Sequence, residues 1–213
     1  MEKDSVNFVY RNKNISINII DKKEYIGNYI NHNKNFYEIE LLEQIYSLNK
    51  NHNTILDIGS NIGNHVVYFE NFISYKKMFC FEPQKLNYEK LCSNIYRSDT
   101  VAFNVALSDS FGKGSLVKKE EFNSGTYQLV GGKEVDVLPL DYFNFKDVTL
   151  LKIDVEGHEL RVLNGALNTI KTCKPIIYME VADEEASDLL IEIGYKKDFV
   201  FWYGPSPTYR FVI

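Results

Sequence analysis

Residues 15–19 alternate apolar and polar positions, the period of a half-buried strand. From 36 to 48 the apolar positions fall at 36, 39, 41, 42, 45 and 48, close to helical spacing, and Asn35 stands where a helix cap belongs. Beyond this the pattern becomes regular. Short, nearly continuous apolar runs at 54–58, 77–81, 101–107, 148–153 and 175–181 predict buried strands. Between and after them helical patterns are expected at 66–72, 86–96, 159–170 and 184–193. Residues 199–203 and 210–213 read as two strands around a turn at Gly204-Pro-Ser-Pro207. Alternating strands and helices imply βαβ units, hence an α/β fold on a mostly parallel sheet, with an antiparallel strand added by the terminal hairpin.

Sheets of this kind bind ligands outside the carboxyl ends of their strands, so the residues just after each strand carry the chemistry. The first strand runs into Asp57-Ile-Gly-Ser-Asn-Ile-Gly-Asn64. Gly59 and Gly63 permit a tight turn and close approach to a ligand. Their GxxxG spacing is neither the dinucleotide fingerprint nor a phosphate loop. The second strand ends in Glu82-Pro83, 25 positions after Asp57. A carboxylate there accepts hydrogen bonds from both ribose hydroxyls, so the ligand is expected to contain a nucleoside. The fourth strand ends in Asp154-Val-Glu-Gly-His-Glu159, three acids and a histidine in six positions. Asp154 points to the crevice on this reading; Glu156 and His158 are its candidate partners. Glu180, closing the fifth strand, is either a crevice-edge acid or a structural partner of Lys152 or a backbone amide. His32 and His52, in Asn-rich stretches, are expected to be solvated.

Composition narrows the setting. A chain of 213 residues with 45% hydrophobic content fills one sizeable core. The net charge, 24 − 29 = −5, disfavours nucleic acid. Residues 1–53 carry seven basic and seven acidic residues, so the whole imbalance falls in residues 54–213. The first segment is read as an N-terminal extension packing on one catalytic domain, 54–213. No run is long enough for a membrane span, and the start lacks a signal-peptide pattern. Cys80, Cys92 and Cys173 form no pair or zinc pattern, and Cys80 lies in an apolar run as a buried thiol would. A cytoplasmic setting is expected. The aromatic tail, 199–203 and 209–211, is read as core.

Several strings together resemble the FkbM family of S-adenosylmethionine-dependent methyltransferases. They are Phe36-Tyr-Glu38, Leu56-Asp-Ile-Gly-Ser-Asn-Ile-Gly-Asn64, Phe81-Glu-Pro83, Asn104-Val-Ala-Leu-Ser108 and Leu151-Lys-Ile-Asp-Val-Glu-Gly-His-Glu-Leu160, then Leu163-Asn-Gly165 and residues 175–180. The resemblance covers residues 36–181, and the Lys-Ile-Asp-Val-Glu-Gly string is its most specific part. It implies a Rossmann-like class I methyltransferase fold with a seven-stranded sheet. It implies that Asp57, Gly59, Ser60, Asn61, Gly63 and Asn64 border the methionine part of S-adenosylmethionine, and that Glu82 with Pro83 holds the ribose. Asn104, Val105 and Ala106 would lie by the adenine, with Asp154 at the reaction crevice. Two positions depart from the pattern: His158 stands where many relatives carry a small residue, and Ser60 where alanine is commoner.

The family implies O-methylation, often of sugars. The expected reaction is therefore methyl transfer to a hydroxyl of a sugar or glycan. Its catalytic demand is in-line positioning plus a base, with Asp154, Glu156 and His158 as candidates. The acids could hold a magnesium ion among waters, but they form no compelling ligand pattern and no metal is expected. Residues 1–53 and the loop around Phe122 to Gly132 are expected to cover the substrate. A nicotinamide-dependent oxidoreductase is the first alternative, disfavoured by the GxxxG spacing. A non-catalytic S-adenosylmethionine-binding domain is the second, disfavoured by the acids at strands two and four.

Overall fold

The computed structural model of the chain describes residues 4–120, 123, 125–203 and 206–213. Phe122, in the expected covering loop, and Gly204 and Pro205, in the terminal turn, lie outside them. A hairpin opens the described chain, β1 (Ser5–Tyr10) and β2 (Lys13–Asn18), followed by α1 (Tyr25–Asn33) and α2 (Ile39–Ser47). The alternating unit then begins: β3 (Asn51–Ile58), α3 (Asn64–Phe72), β4 (Ser74–Phe81), α4 (Lys85–Asn94) and β5 (Thr100–Phe103). Short strands β6 (Ala106–Leu107), β7 (Gly112–Lys118), β8 (Tyr127–Gly131) and β9 (Val135–Leu138) interrupt it. It resumes with β10 (Val148–Ile153), α5 (Glu159–Asn164), α6 (Leu167–Cys173), β11 (Ile176–Glu180), α7 (Glu184–Glu192), β12 (Lys196–Trp202) and β13 (Pro207–Val212).

Seven strands form one sheet in the order β12-β13-β11-β10-β3-β4-β5. Neighbours from β11 to β5 pair in parallel; β13 runs antiparallel to both β11 and β12. This is the Rossmann-like class I methyltransferase architecture that the sequence predicts. Both faces of the sheet are covered, which is why its strands are apolar at nearly every position. The two-residue period survives inside those runs. Ile55, Met78, Cys80, Leu150 and Tyr178 face one core, and Leu56, Ile58, Phe81, Leu151, Ile153 and Met179 face the other. The first core also holds Val6, Ile17, Ile30, Phe36, Leu41 and Leu42, so the N-terminal hairpin and helices close one side of the sheet.

Several expectations change. The run 101–107 is two strands, because the chain leaves the large sheet at Asn104 and Ala106–Leu107 pairs with β9 in a second sheet of order β6-β9-β7-β8. The run 159–170 is two helices, broken at Gly165, where a Cβ would stand 1.9 Å from the carbonyl oxygen of Ser108. Asn35 caps nothing; α2 starts after Glu38, whose own backbone is left-handed at φ 57°. His52 is buried, not solvated, with Nδ1 3.1 Å from Thr149 Oγ1, and burial pushes its imidazole down to about 4. In the aromatic tail Phe211 is core, but Phe199 and Trp202 are exposed. Cys80 is a buried free thiol. Among the described residues no helix is long and apolar enough to cross a membrane.

Candidate active site

The carboxyl ends of β3, β4, β10 and β11 open on a single cavity of about 1120 Å³ measured out to its open mouth. Its floor is the turn after β3. Gly59 (φ 79°) and Gly63 (φ 85°) both take the left-handed backbone that favours glycine. A Cβ on Gly59 would stand 1.7 Å from the carbonyl oxygen of Asp154, so this contact between two strand tips requires glycine. Ser60 Oγ donates to the Asp57 carbonyl at 2.8 Å and ties the turn to its strand.

Glu82, at the tip of β4, is 6% exposed and lines the cavity. One carboxylate oxygen accepts the backbone N–H of Asn61 and the other that of Gln84, both at 2.8 Å. The Asn87 side chain bonds the same carboxylate, which keeps part of its acceptor capacity for a further donor. Burial pushes this carboxyl up to about 7 despite those bonds. Asn104 Nδ2 donates to the carbonyls of Glu82 and Pro83 and fixes the tip.

The tips of β10 and β11 carry the densest charge. Lys152 Nζ lies 3.1 Å from Asp154 Oδ2 and 3.7 Å from Asp57 Oδ1, and donates to the Gly59 carbonyl at 3.2 Å. Burial alone would lower this ammonium; Asp154 and Asp57 outweigh it and hold it charged. Burial likewise opposes ionisation of Asp154, but Lys152 keeps its carboxyl below the usual range. Burial and the neighbouring Asp154 push Glu180 up, and burial with Asp154 raises Glu156 to about 7. One oxygen of each of Asp154, Glu156 and Glu180 lies within 4.8 Å of the others, a span that also suits a cation.

Of the residues predicted from sequence, the structure brings Gly59, Ser60, Asn61, Asn64, Glu82, Pro83, Val105, Ala106, Asp154, Glu156 and His158 onto the cavity wall. Asp57, Gly63 and Asn104 stand behind it. Asp57 is fully buried under Lys152, Gly63 caps α3, and Asn104 pins the β4 tip. His158 Nε2 meets Ser108 Oγ at 2.9 Å, and burial lowers its imidazole below the usual value. The wall also holds residues to which the sequence reading assigns no site role. Tyr25, Tyr37, Glu38 and His65 form one side, and Leu116, Tyr127 and Leu129 of the small sheet form another. Tyr37 packs edge-on against Tyr25 and Tyr29, with ring centroids 5.9 and 5.3 Å away.

A mostly parallel sheet of this order, with antiparallel β13 inserted beside β11, a glycine turn at its first tip and an acid at its second, is a Rossmann-like fold of the kind class I methyltransferases have. Residues 57–204 match the methyltransferase FkbM domain, and the chain belongs to that family. A curated relative, the hexuronic acid methyltransferase AglP of Haloferax volcanii, is 28% identical over 129 residues, 57% of this chain. The matched region is 53% of that relative, so the chain spans about half its length. Among solved structures, the methyltransferase FkbM of Methylobacillus flagellatus superimposes with a TM-score of 0.54 at 19% identity, over 75% of this chain and 43% of that one. TYW2 of M. jannaschii, solved in complex with AdoMet, gives 0.50 at 13% identity over 100% and 88%. These two likenesses concern the fold.

Proposed function

We propose that the chain transfers a methyl group from S-adenosylmethionine to a hydroxyl of an uncharged sugar. The observation that carries the acceptor class is the charge of the wall. Glu38, Glu82, Asp154, Glu156 and Glu180 line the cavity, and among its described lining residues Lys152 is the sole lysine or arginine. Lys152 is already committed to Asp57 and Asp154. A uronate would add a carboxylate to acids whose ionisation is already opposed. The curated relative is named for a hexuronic acid; the wall of this chain supports a neutral acceptor instead.

The same donor set fits the cofactor. Lone pairs on Glu82 suit vicinal ribose hydroxyls, the apolar Phe81, Val105 and Leu107 suit an adenine, and the acids suit a cation. Nothing in the turn after β3 resembles a pyrophosphate cradle. When bound, S-adenosylmethionine supplies an electrophilic methyl group on a positively charged sulfur. The Asn61 amide and Glu82 hold one end of the site, and the Lys152–Asp154 pair sets the charge at the other. Tyr25 and Tyr37 offer ring faces and edges to the CH groups of a sugar. Residues 1–53 act as one wall of the acceptor site, and Tyr127 and Leu129 as the opposite wall. An acceptor held between the two walls is positioned for transfer, and positioning supplies much of the rate.

The test is transfer of radiolabel from S-adenosylmethionine to methyl glycosides of neutral hexoses, a hexosamine and glucuronic acid. Label is expected on a neutral glycoside, in a base-stable ether. Label on the glucuronoside alone, released by mild base as an ester would be, defeats the reading.

A further inference from the structure

Glu38 and His65 meet across the cavity wall. His65 Nε2 lies 3.1 Å from Glu38 Oε2, and both side chains are nearly buried, at 8% and 12% exposure. The contact is at ion-pair distance but off the line of a hydrogen bond, since Nε2 has no hydrogen-bond partner among the described residues. Two devices hold the pair. Asn64, beside His65, accepts from the Tyr37 amide at 3.1 Å and donates to the Tyr37 carbonyl at 2.9 Å. These two hydrogen bonds, to the N–H and the C=O of one residue, clamp the residue before Glu38 onto the first turn of α3. Glu38 itself adopts a left-handed backbone, φ 57°, unusual for a residue other than glycine. That conformation is strained for a residue with a Cβ, and no side-chain hydrogen bond caps α2 there.

We infer that His65 is the base that takes the acceptor's hydroxyl proton, with Glu38 as its positioning partner. The inference rests on the methyl-transfer reading above. A carboxylate at ion-pair distance stands beside an imidazole that lines the cavity, and its charge favours the imidazolium as the acid does in a nucleophile–histidine–acid arrangement. With Nε2 toward Glu38, Nδ1 is the nitrogen left to accept. As the proton moves to Nδ1, the hydroxyl oxygen bonds to the methyl carbon, and the electrons of the broken carbon–sulfur bond stay with sulfur. Glu38 stabilises the imidazolium so formed, which later releases its proton to solvent. His158 is held by Ser108 and has no carboxylate within bonding distance among the described residues; Asp154 is paired with Lys152.

The experiment uses the full chain and the neutral methyl glycoside that accepts label. His65→Ala is expected to lower kcat by about 10²–10⁴-fold, with partial recovery on adding imidazole. Glu38→Gln is expected to lower kcat by about tenfold or more at little change in KM. Calorimetry with S-adenosylhomocysteine should show affinity within twofold of wild type for both. Nitrogen-15 spectra of the His65 ring should show the proton on Nε2, and Glu38→Gln should alter the tautomer balance. His65→Gln serves if the alanine variant melts early. Full turnover in either His65 variant, or a ring carrying its proton on Nδ1 alone, overturns the assignment while leaving methyl transfer standing. A wild-type chain inert to every glycoside overturns both.

Discussion

Glu43 and Glu82 are both carboxylates drawn out of bulk water, and they titrate in opposite directions. Glu43, on α2, accepts from the Tyr10 and Tyr68 hydroxyls at 2.6 and 2.7 Å and pairs with Arg11 through both oxygens. Arg11 above all, then the tyrosines, hold it down at about 2. Glu82 accepts two backbone amides and bonds the Asn87 side chain, has no cation in contact among the described residues, and burial carries it up to about 7. The structural acid is held by a cation and two hydroxyls; the cavity acid is held by amides alone. A buried acid with no cation in contact, lining a cavity, is placed to meet a ligand that supplies further donors.

The largest expected effects would separate these two roles. Glu82→Ala should weaken S-adenosylhomocysteine binding by about 100-fold, two charge-assisted hydrogen bonds at about 1.4 kcal/mol each, measured by calorimetry. Its melting temperature should move less than that of Glu43→Ala. Glu43→Ala should cost about 2 kcal/mol in urea unfolding, because the part-buried hydroxyls of Tyr10 and Tyr68 lose their acceptor and Arg11 its partner, and should leave calorimetric affinity unchanged. If both variants lose affinity equally, the distinction fails.

A pH series sharpens the comparison with a smaller effect. Glu43 has a folded value below the ordinary 4.5, so its contribution is complete above 4.5 and is lost as pH falls toward about 2. Glu82 and Glu156 have folded values near 7, so the unfolded chain releases their protons first. Stability of the unliganded protein should therefore fall as pH rises from about 4.5 to about 7. A Glu156→Gln variant should flatten that fall, and Glu43→Gln should leave it in place; melting temperatures across the range decide. The smallest effect is a control. Lys113 and Asp136 form an ion pair with both side chains more than half exposed, and Lys113→Ser should change unfolding free energy by less than about 0.5 kcal/mol.

The sheet was legible in the sequence because its central strands are covered on both faces. Residues 54–58, 77–81, 148–153 and 175–181 are apolar runs that no exposed element would carry, and the acids ending them are visible for the same reason. The small sheet was not legible. Gly112–Lys118 and Tyr127–Gly131 are half-exposed strands with mixed composition, so their alternation has no contrast. The break at Gly165 was equally hidden, since its cause is a carbonyl from Ser108, far along the chain. Glu38 stands in a string that resembles the family, but nothing local gives it or His65 a role; their pairing arises when Asn64 joins the two segments. Sequence pattern reveals what burial selects, and it is silent on what distant packing assembles.

The position of the Tyr25 wall has an evolutionary consequence. Tyr25 and Ile26 precede both the matched domain, residues 57–204, and the Phe36-Tyr-Glu38 string. The portion shared by descent thus holds the turn after β3, Glu82 and Asp154, while part of the wall facing them belongs to a segment that the shared portion does not define. Divergence can rewrite that segment without disturbing the inherited turn and strand tips. Two lineages of this ancestry can part ways in what they decorate while remaining indistinguishable by common descent.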